Sequence, residues 1–181
     1  ALINNVKKLC FVSSIAALSD GNGRNPINEE SLFSKNEKTT MYGESKRLAE
    51  KEINNGIQKG LNAVIVNPGV ILGYTPNWSG SGELFKRVKK GLPFYTNGRT
   101  GYVAAEDVVR AMILLMKSDS NDRRFVLVGE NCRHKDILQW MADGFGKLRP
   151  FIGMNKTLLL SAHVLELAGT LLAGSVTTNN S

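Results

Sequence analysis

Two short apolar runs flank a stretch with helical periodicity, and this arrangement constrains the fold more than any other feature of the chain. The first run is Leu9-Cys10-Phe11-Val12, closing on Ser13-Ser14; the second spans Leu61 to Val66 and closes on Asn67-Pro68-Gly69. Both lack a regular alternation of apolar and polar residues, the pattern of a strand covered on both faces. Each ends in small, polar or turn-forming residues, so its carboxyl end is expected to open into a site. A strand, helix, strand order in a parallel sheet requires a right-handed crossover, which places helices over the sheet. The expected class is therefore α/β, with a parallel sheet covered by helices on both faces.

The helical stretch starts near Tyr42, with Tyr42, Lys46, Ala49, Ile53 and Ile57 recurring near one face and Gly60 as its stop. Before it, Ser19 to Thr40 is rich in Gly, Asn, Ser and Glu and reads as a long surface connection, a length that usually signals function. Beyond the second strand, helices are expected at Gly82 to Lys90, Ala105 to Lys117 and Lys135 to Phe145, with a strand at Arg124 to Val128. Leu158 to Gly174 is apolar but contains His163 and Glu166 and falls short of the roughly 20 residues of a membrane span. An amphipathic helix is expected there. Ala1 to Lys8 has neither an initiating Met nor the apolar core of a signal peptide and reads like the end of a helix. The expectation is a chain that begins inside a domain.

The formal charge of +7 does not point to nucleic acid, because Lys and Arg are scattered and no basic run reaches five residues. The densest group, Lys86, Arg87, Lys89 and Lys90, reads as a solvated helix face, with a site for an acidic substrate as the minority reading. Cys10 and Cys132 are too few and too distant in sequence for a disulfide framework or metal cluster. A reducing cytoplasm fits that cysteine usage. His134 and His163 are isolated and read as surface or packing residues, so no metal is expected.

Tyr42 and Lys46 lie four apart on the expected helix, so both side chains project from one face. The spacing has a chemical use. A phenol ordinarily ionises at about pH 10, and service as acid and base near pH 7 requires about 4 kcal/mol of stabilisation of the phenolate. One ammonium about 4 Å away supplies about that much at an effective dielectric near 20. Ser14, at the end of the preceding strand, can hold a substrate oxygen while Tyr42 moves the proton, with Ser13 as the neighbouring alternative. Strand alternation would turn only one of the two serines toward Tyr42. A Tyr-x-x-x-Lys pair alone is weak evidence; its setting between Ser-Ser and Asn-Pro-Gly strand ends is much rarer.

These motifs resemble the extended short-chain dehydrogenase/reductase family, also called the NAD-dependent epimerase/dehydratase family. The likeness rests on Phe11-Val12-Ser13-Ser14-Ile15-Ala16-Ala17, Glu29-Glu30, Tyr42-Gly-Glu-Ser-Lys46-Arg-Leu-Ala-Glu50, Val66-Asn67-Pro68-Gly69-Val70-Ile71-Leu72-Gly73, and Gly101-Tyr102-Val103 leading to Glu106-Asp107-Val108. Within the family the chain is most similar to the dihydroflavonol-4-reductase-like and 3β-hydroxysteroid-dehydrogenase-like branch. The resemblance implies the C-terminal part of a Rossmann-type doubly wound parallel sheet with a small mixed substrate-binding lobe. Residues 1–75 would be the second half of the dinucleotide-binding domain, carrying the catalytic residues. Residues 76–181 would be mostly substrate lobe, with about 101–130 returning to the sheet.

Carried residue by residue, the resemblance makes Tyr42 the acid/base, Lys46 the ligand of the nicotinamide ribose that favours the phenolate, and Ser14 the third catalytic member. Pro68, Ile71 and Ser81 would border the cofactor, although Pro68-Gly69 also suits a plain strand-end turn and Ser81 a helix N-cap. Asn67, Tyr95 and Arg99 would touch substrate; Tyr95 and Arg99 equally suit a polar turn. Asp107 reads as a carboxylate favouring a helix dipole rather than as a catalytic group.

Two departures matter: Ala104-Ala105-Glu106 stands before Asp107 where relatives often carry a more polar or hydrophobic-acidic run, and the family's Gly-x-x-Gly-x-x-Gly turn is not in the sequence, Gly21-Asn-Gly23 having neither the third glycine nor a preceding strand. The adenosine half of the cofactor site is therefore expected outside this chain, and the isolated chain is expected to bind cofactor poorly and be inactive. The leading function is an NAD- or NADP-dependent oxidoreductase acting on a small hydroxyl or carbonyl substrate. A nucleotide-sugar epimerase or dehydratase with tightly held NAD is the alternative, and a non-catalytic Rossmann-type binding module the third. Neither nucleic acid nor membrane is an expected partner. Relatives dimerise through helices, one bearing the tyrosine, so a homodimer is an expected state.

Overall fold

The structure, a computed structural model, describes residues 1–19, 26–31 and 39–154. The apolar stretch Leu158 to Gly174 and much of the Ser19 to Thr40 connection lie outside the described residues. Two compact units divide the chain, one formed by Ala1–Glu83 with Thr100–Asn131 and the other by Leu84–Arg99 with the described residues from Cys132 onward.

The first unit is built on a parallel three-stranded sheet. Strand β1 (Leu9–Val12) pairs in parallel with β2 (Ala63–Pro68), in register from Leu9 opposite Ala63 to Val12 opposite Val66. Between them in sequence runs helix α1 (Met41–Gln58). Its first turn is capped by Thr40, whose hydroxyl accepts from the Gly43 amide at 3.0 Å. The chain leaves it through Gly60, at φ +93°, a conformation that side-chain-bearing residues rarely adopt. The other edge of β2 pairs in parallel with β6 (Arg123–Leu127), Val64 opposite Arg123 and Pro68 opposite Leu127. All six β2 residues are buried, so both faces of the sheet are covered at its centre. Helix α3 (Ala105–Lys117) packs on β1 and β2, and α1 packs on β2.

The second expected strand thus exists but begins two residues later and continues through Asn67-Pro68. At its end the chain passes directly into β3 (Val70–Leu72), which pairs in parallel with β5 (Arg99–Ala104), Val70 opposite Tyr102. Gly69 makes this passage, and glycine is required: a Cβ there would sit 2.3 Å from the Gly101 carbonyl oxygen. Strand β7 (Glu130–Arg133) completes a second sheet in the order β3-β5-β7. The first residues carry the bonds of a helix C-terminus, as expected: the Val6 amide donates to the Ala1 carbonyl and the Asn5 amide to the Leu2 carbonyl, with Asn5 in the left-handed region at φ +49°.

Helix α2 (Gly82–Lys89) leads into the second unit, where β4 (Phe94–Thr96) pairs in parallel with β8 (Ile152–Met154). Helix α4 (His134–Gly144) packs on β4 and buries Ile137, Leu138, Met141 and Ala142, a stripe of helical period. His134 has a packing role: its Nδ1 lies 3.0 Å from Thr96 Oγ1, its amide donates to the Gly98 carbonyl, and its ring lies against Gly98.

Among the described residues, no helix is long and apolar enough to cross a membrane, and no group of three or more His, Cys, Asp or Glu side chains is placed to hold a metal ion.

Candidate active site

The ladder of β1 ends at Val12, and the next residues shape the site. The Ser13 amide still donates to the Val66 carbonyl at 2.8 Å, but the chain then enters a 3₁₀ turn, Ile15–Ala17. Ser14 caps that turn. It holds extended backbone angles, φ −161° and ψ 155°, and its Oγ accepts from the Ala16 amide at 3.1 Å. Because regular alternation stops here, Ser13 and Ser14 both border one cleft instead of facing opposite ways. Ser13 is buried and its Oγ has no hydrogen-bond partner among the described residues.

Tyr42 stands in the first turn of α1, more than half exposed, on the same cleft. Lys46, one turn on, donates from Nζ to the Val12 carbonyl at 3.1 Å. That Nζ lies 5.9 Å from the centre of the Tyr42 ring and 5.8 Å from that of Phe11. Gly43 lets the helix approach: a Cβ there would stand 2.3 Å from the Ala16 carbonyl oxygen. The cleft encloses about 790 Å³, and its walls include Ser14, Tyr42, Pro68, Ile71 and Ser81. No charged side chain lines it among the described residues.

Asn67 occupies a different place from the substrate contact expected of it. It is fully buried behind the cleft, and its Nδ2 donates to the Ser14 carbonyl at 2.8 Å and to Glu50 Oε1 at 2.7 Å. Both partners are acceptors, which fixes the orientation of the amide. Glu50 Oε2 in turn accepts from Arg124 at 2.6 Å. Sequence reasoning passed over Glu50 and Arg124, yet one signal was available: Tyr42, Lys46 and Glu50 share a spacing of four, so the acid falls on the helix face that meets the sheet. Tyr95 and Arg99 belong to the second unit, where Lys135 Nζ sits 4.9 Å from the centre of the Tyr95 ring. Glu29, in the long connection, accepts from the Val126 amide at 2.9 Å and ties that loop to β6. On β1, burial pushes the Cys10 thiol above its ordinary pKa, with Lys8 opposing.

The donor set fits the nicotinamide and ribose end of a dinucleotide: hydroxyls that include those of Ser14, Tyr42 and Ser81, an aliphatic wall from Pro68 and Ile71, and a buried Ser13 Oγ without a partner among the described residues. A parallel sheet whose strands end at such a cleft defines a Rossmann-type protein. The chain belongs to the NAD dependent epimerase/dehydratase family, whose model matches residues 1–129. It is 28% identical over 164 residues to sterol demethylase protein B of Methylococcus capsulatus, covering 89% of this chain and 49% of that protein. It is 27% identical over 151 residues to tetraketide alpha-pyrone reductase 2 of Arabidopsis thaliana, covering 77% and 47%. The chain thus spans about half the length of the curated relatives it matches. Its fold is similar to that of a nucleoside-diphosphate-sugar epimerase from Pseudomonas aeruginosa, with a TM-score of 0.80, 22% identity, and coverage of 94% of this chain and 56% of that one.

Proposed function

We propose that the protein carrying this chain is an NAD- or NADP-dependent oxidoreductase that interconverts a hydroxyl and a carbonyl group on a small molecule. The observation that carries this reading is the placement of Ser14 and Tyr42 on one cleft, with the Lys46 ammonium 5.9 Å from the tyrosine ring and anchored on Val12. Tyr42 gives a proton to the carbonyl oxygen in reduction and takes it from the alcohol in oxidation, through its phenolic oxygen. Lys46 holds the ribose, its ammonium fixed beside Tyr42 by the Val12 carbonyl. Ser14 Oγ holds the reacting oxygen by hydrogen bond. The cofactor, when bound, supplies or accepts the hydride.

An uncharged carbonyl compound suits the cleft better than a nucleotide sugar, since no cationic side chain among the described lining residues would meet a diphosphate. Cys10 and Cys132 are not joined in a disulfide, which suits a reducing compartment, so we place the reaction in the cytoplasm. The test is steady-state oxidation of NADH and NADPH by the protein carrying this chain, against a panel of aldehydes and ketones. Tyr42→Phe is expected to lower turnover about 10²- to 10⁴-fold. Unchanged turnover in Tyr42→Phe, or conversion of nucleotide sugars without net change in reduced cofactor, would overturn the reading.

A further inference from the structure

The three residues of the α1 face do three different things. Tyr42 borders the cleft, Lys46 reaches the last residue of β1, and Glu50 reaches into the buried interior, where it is 4% exposed. A carboxylate at such a position is tolerated only when it is paired and hydrogen-bonded. Arg124 supplies the pairing from β6 and Asn67 the hydrogen bond from β2. Asn67 uses its second amide proton on the Ser14 carbonyl, so the network spans α1, β6, β2 and the turn after β1. The Ser14 carbonyl also receives the Ala17 amide at 3.0 Å. Its orientation is therefore fixed from two sides, and with it the peptide that carries Ser14 Oγ.

Asn67 Oδ1 is buried without a partner among the described residues. An apolar side chain would avoid that unsatisfied acceptor, but would leave both Glu50 and the Ser14 carbonyl short of a donor. The presence of an amide here is explained by what its nitrogen connects.

We propose that Glu50, Asn67 and Arg124 are positioning residues that set the Ser14 peptide against the Tyr42 and Lys46 helix. The proposal rests on the reading of Ser14, Tyr42 and Lys46 as the reacting site. Charge and shape alone would make the network a structural ion pair; the contact that gives it a positioning role is the one from Asn67 to Ser14. These two roles separate in a swapped pair of isosteres. Asn67→Asp alone sets two carboxylates against each other. Adding Glu50→Gln restores an amide-to-carboxylate contact between positions 50 and 67, while the Ser14 carbonyl then faces an acceptor and stays without its side-chain donor.

The experiment compares wild type, N67D and E50Q/N67D in the protein carrying this chain, by thermal melting, amide hydrogen exchange and steady-state kinetics. The double variant is expected to regain most of the melting temperature lost in N67D. The Ala16 and Ala17 amides should nevertheless exchange about tenfold or more faster than in wild type. Turnover should stay down about 10- to 100-fold, with KM for the cofactor within about threefold, as misplacement of a reacting group costs rate more than binding. Wild-type exchange at these two amides in the double variant, or turnover that recovers together with the melting temperature, overturns the proposal. A wild-type protein without hydride transfer would count against the functional reading instead, and the exchange rates alone would then decide the network.

Discussion

Lys46 Nζ donates to the carbonyl oxygen of Val12 at 3.1 Å, so the ammonium is oriented by the last residue of β1 before any ligand enters the cleft. Helix α1 is thereby attached to the sheet within one turn of Tyr42, and the charge is held near the tyrosine ring at 5.9 Å from its centre. A lysine free in solvent would lose rotamer entropy on taking up that position; here part of the loss has occurred in folding.

Lys46→Met should therefore damage the reaction more than the fold. It removes the ammonium beside Tyr42 and, on the proposed function, the group that holds the ribose, while its unbranched stem still fits the packing. Turnover per bound cofactor is expected to fall about 10²-fold or more, because the proton transfer through Tyr42 loses its neighbouring charge, and KM for the cofactor to rise. Steady-state kinetics across cofactor concentrations would show both changes, and far-ultraviolet circular dichroism should match wild type.

Gly43→Ala tests the close approach of α1 to the 3₁₀ turn. In an open helix the change would stabilise by roughly 0.5–1 kcal/mol, because alanine loses less backbone freedom. Here the added Cβ would stand 2.3 Å from the Ala16 carbonyl oxygen and 2.5 Å from Thr39 Oγ1, so the first turn of α1 must shift. Overpacking of this kind costs about 1–3 kcal/mol and should outweigh the propensity gain. The variant is expected to melt earlier and, since Tyr42 is the adjacent residue, to lose turnover. A melting temperature at or above that of wild type would show that the turn yields freely.

The parts of the fold legible in the sequence were those with a long or continuous pattern. The period of α1, the buried runs of β1 and β2, and the amphipathic stretches of α3 and α4 each stand within a residue or two of expectation. Strands β3, β4, β5, β7 and β8 did not register: four of them have only three or four residues without the continuous apolar run of β1, and β5 opens on Arg99-Thr100-Gly101, which reads as a turn. At the site, the Tyr42 and Lys46 spacing announced itself through the helical repeat. The role of Asn67 did not, since an amide at a strand end suits a pocket wall and a buried network equally well. Only its bonds to Glu50 and Ser14 distinguish the two. Those bonds join residues 17 and 53 positions apart in sequence, a separation no local pattern encodes.

Val64→Ala should reduce stability without touching the chemistry. Val64 lies fully buried on β2, opposite Cys10 on one side and Arg123 on the other, and does not border the cleft. Removing its two methyl groups is expected to cost about 2 kcal/mol in lost burial and residual cavity. For a chain of this size that corresponds to a drop of about 4–8 °C in melting temperature. Turnover measured well below the transition should be unchanged; a loss of activity at full folding would mean that the packing of β2 also sets the site.

Acid should destabilise the protein, and the sign follows from three exposed ion pairs. A hydrogen bond from Arg47 holds the Glu44 carboxyl below its ordinary pKa; Arg133 does the same for Asp136, and Arg149 for Asp143. A carboxyl whose pKa is lower in the folded than in the unfolded chain adds stability that is present above its unfolded value and disappears as pH falls through the folded one. The melting temperature is therefore expected to change little between about pH 7 and 5 and to decline below about pH 4. Exposed pairs are screened by salt, so the decline should be shallower in about 1 M NaCl, where the screening length is about 3 Å. Asp143→Asn, which removes one of the three groups, should flatten the decline further in low salt. Melting curves collected from pH 7 to 3 on wild type and this variant decide the point: a melting temperature that rises on acidification would reverse the assigned sign.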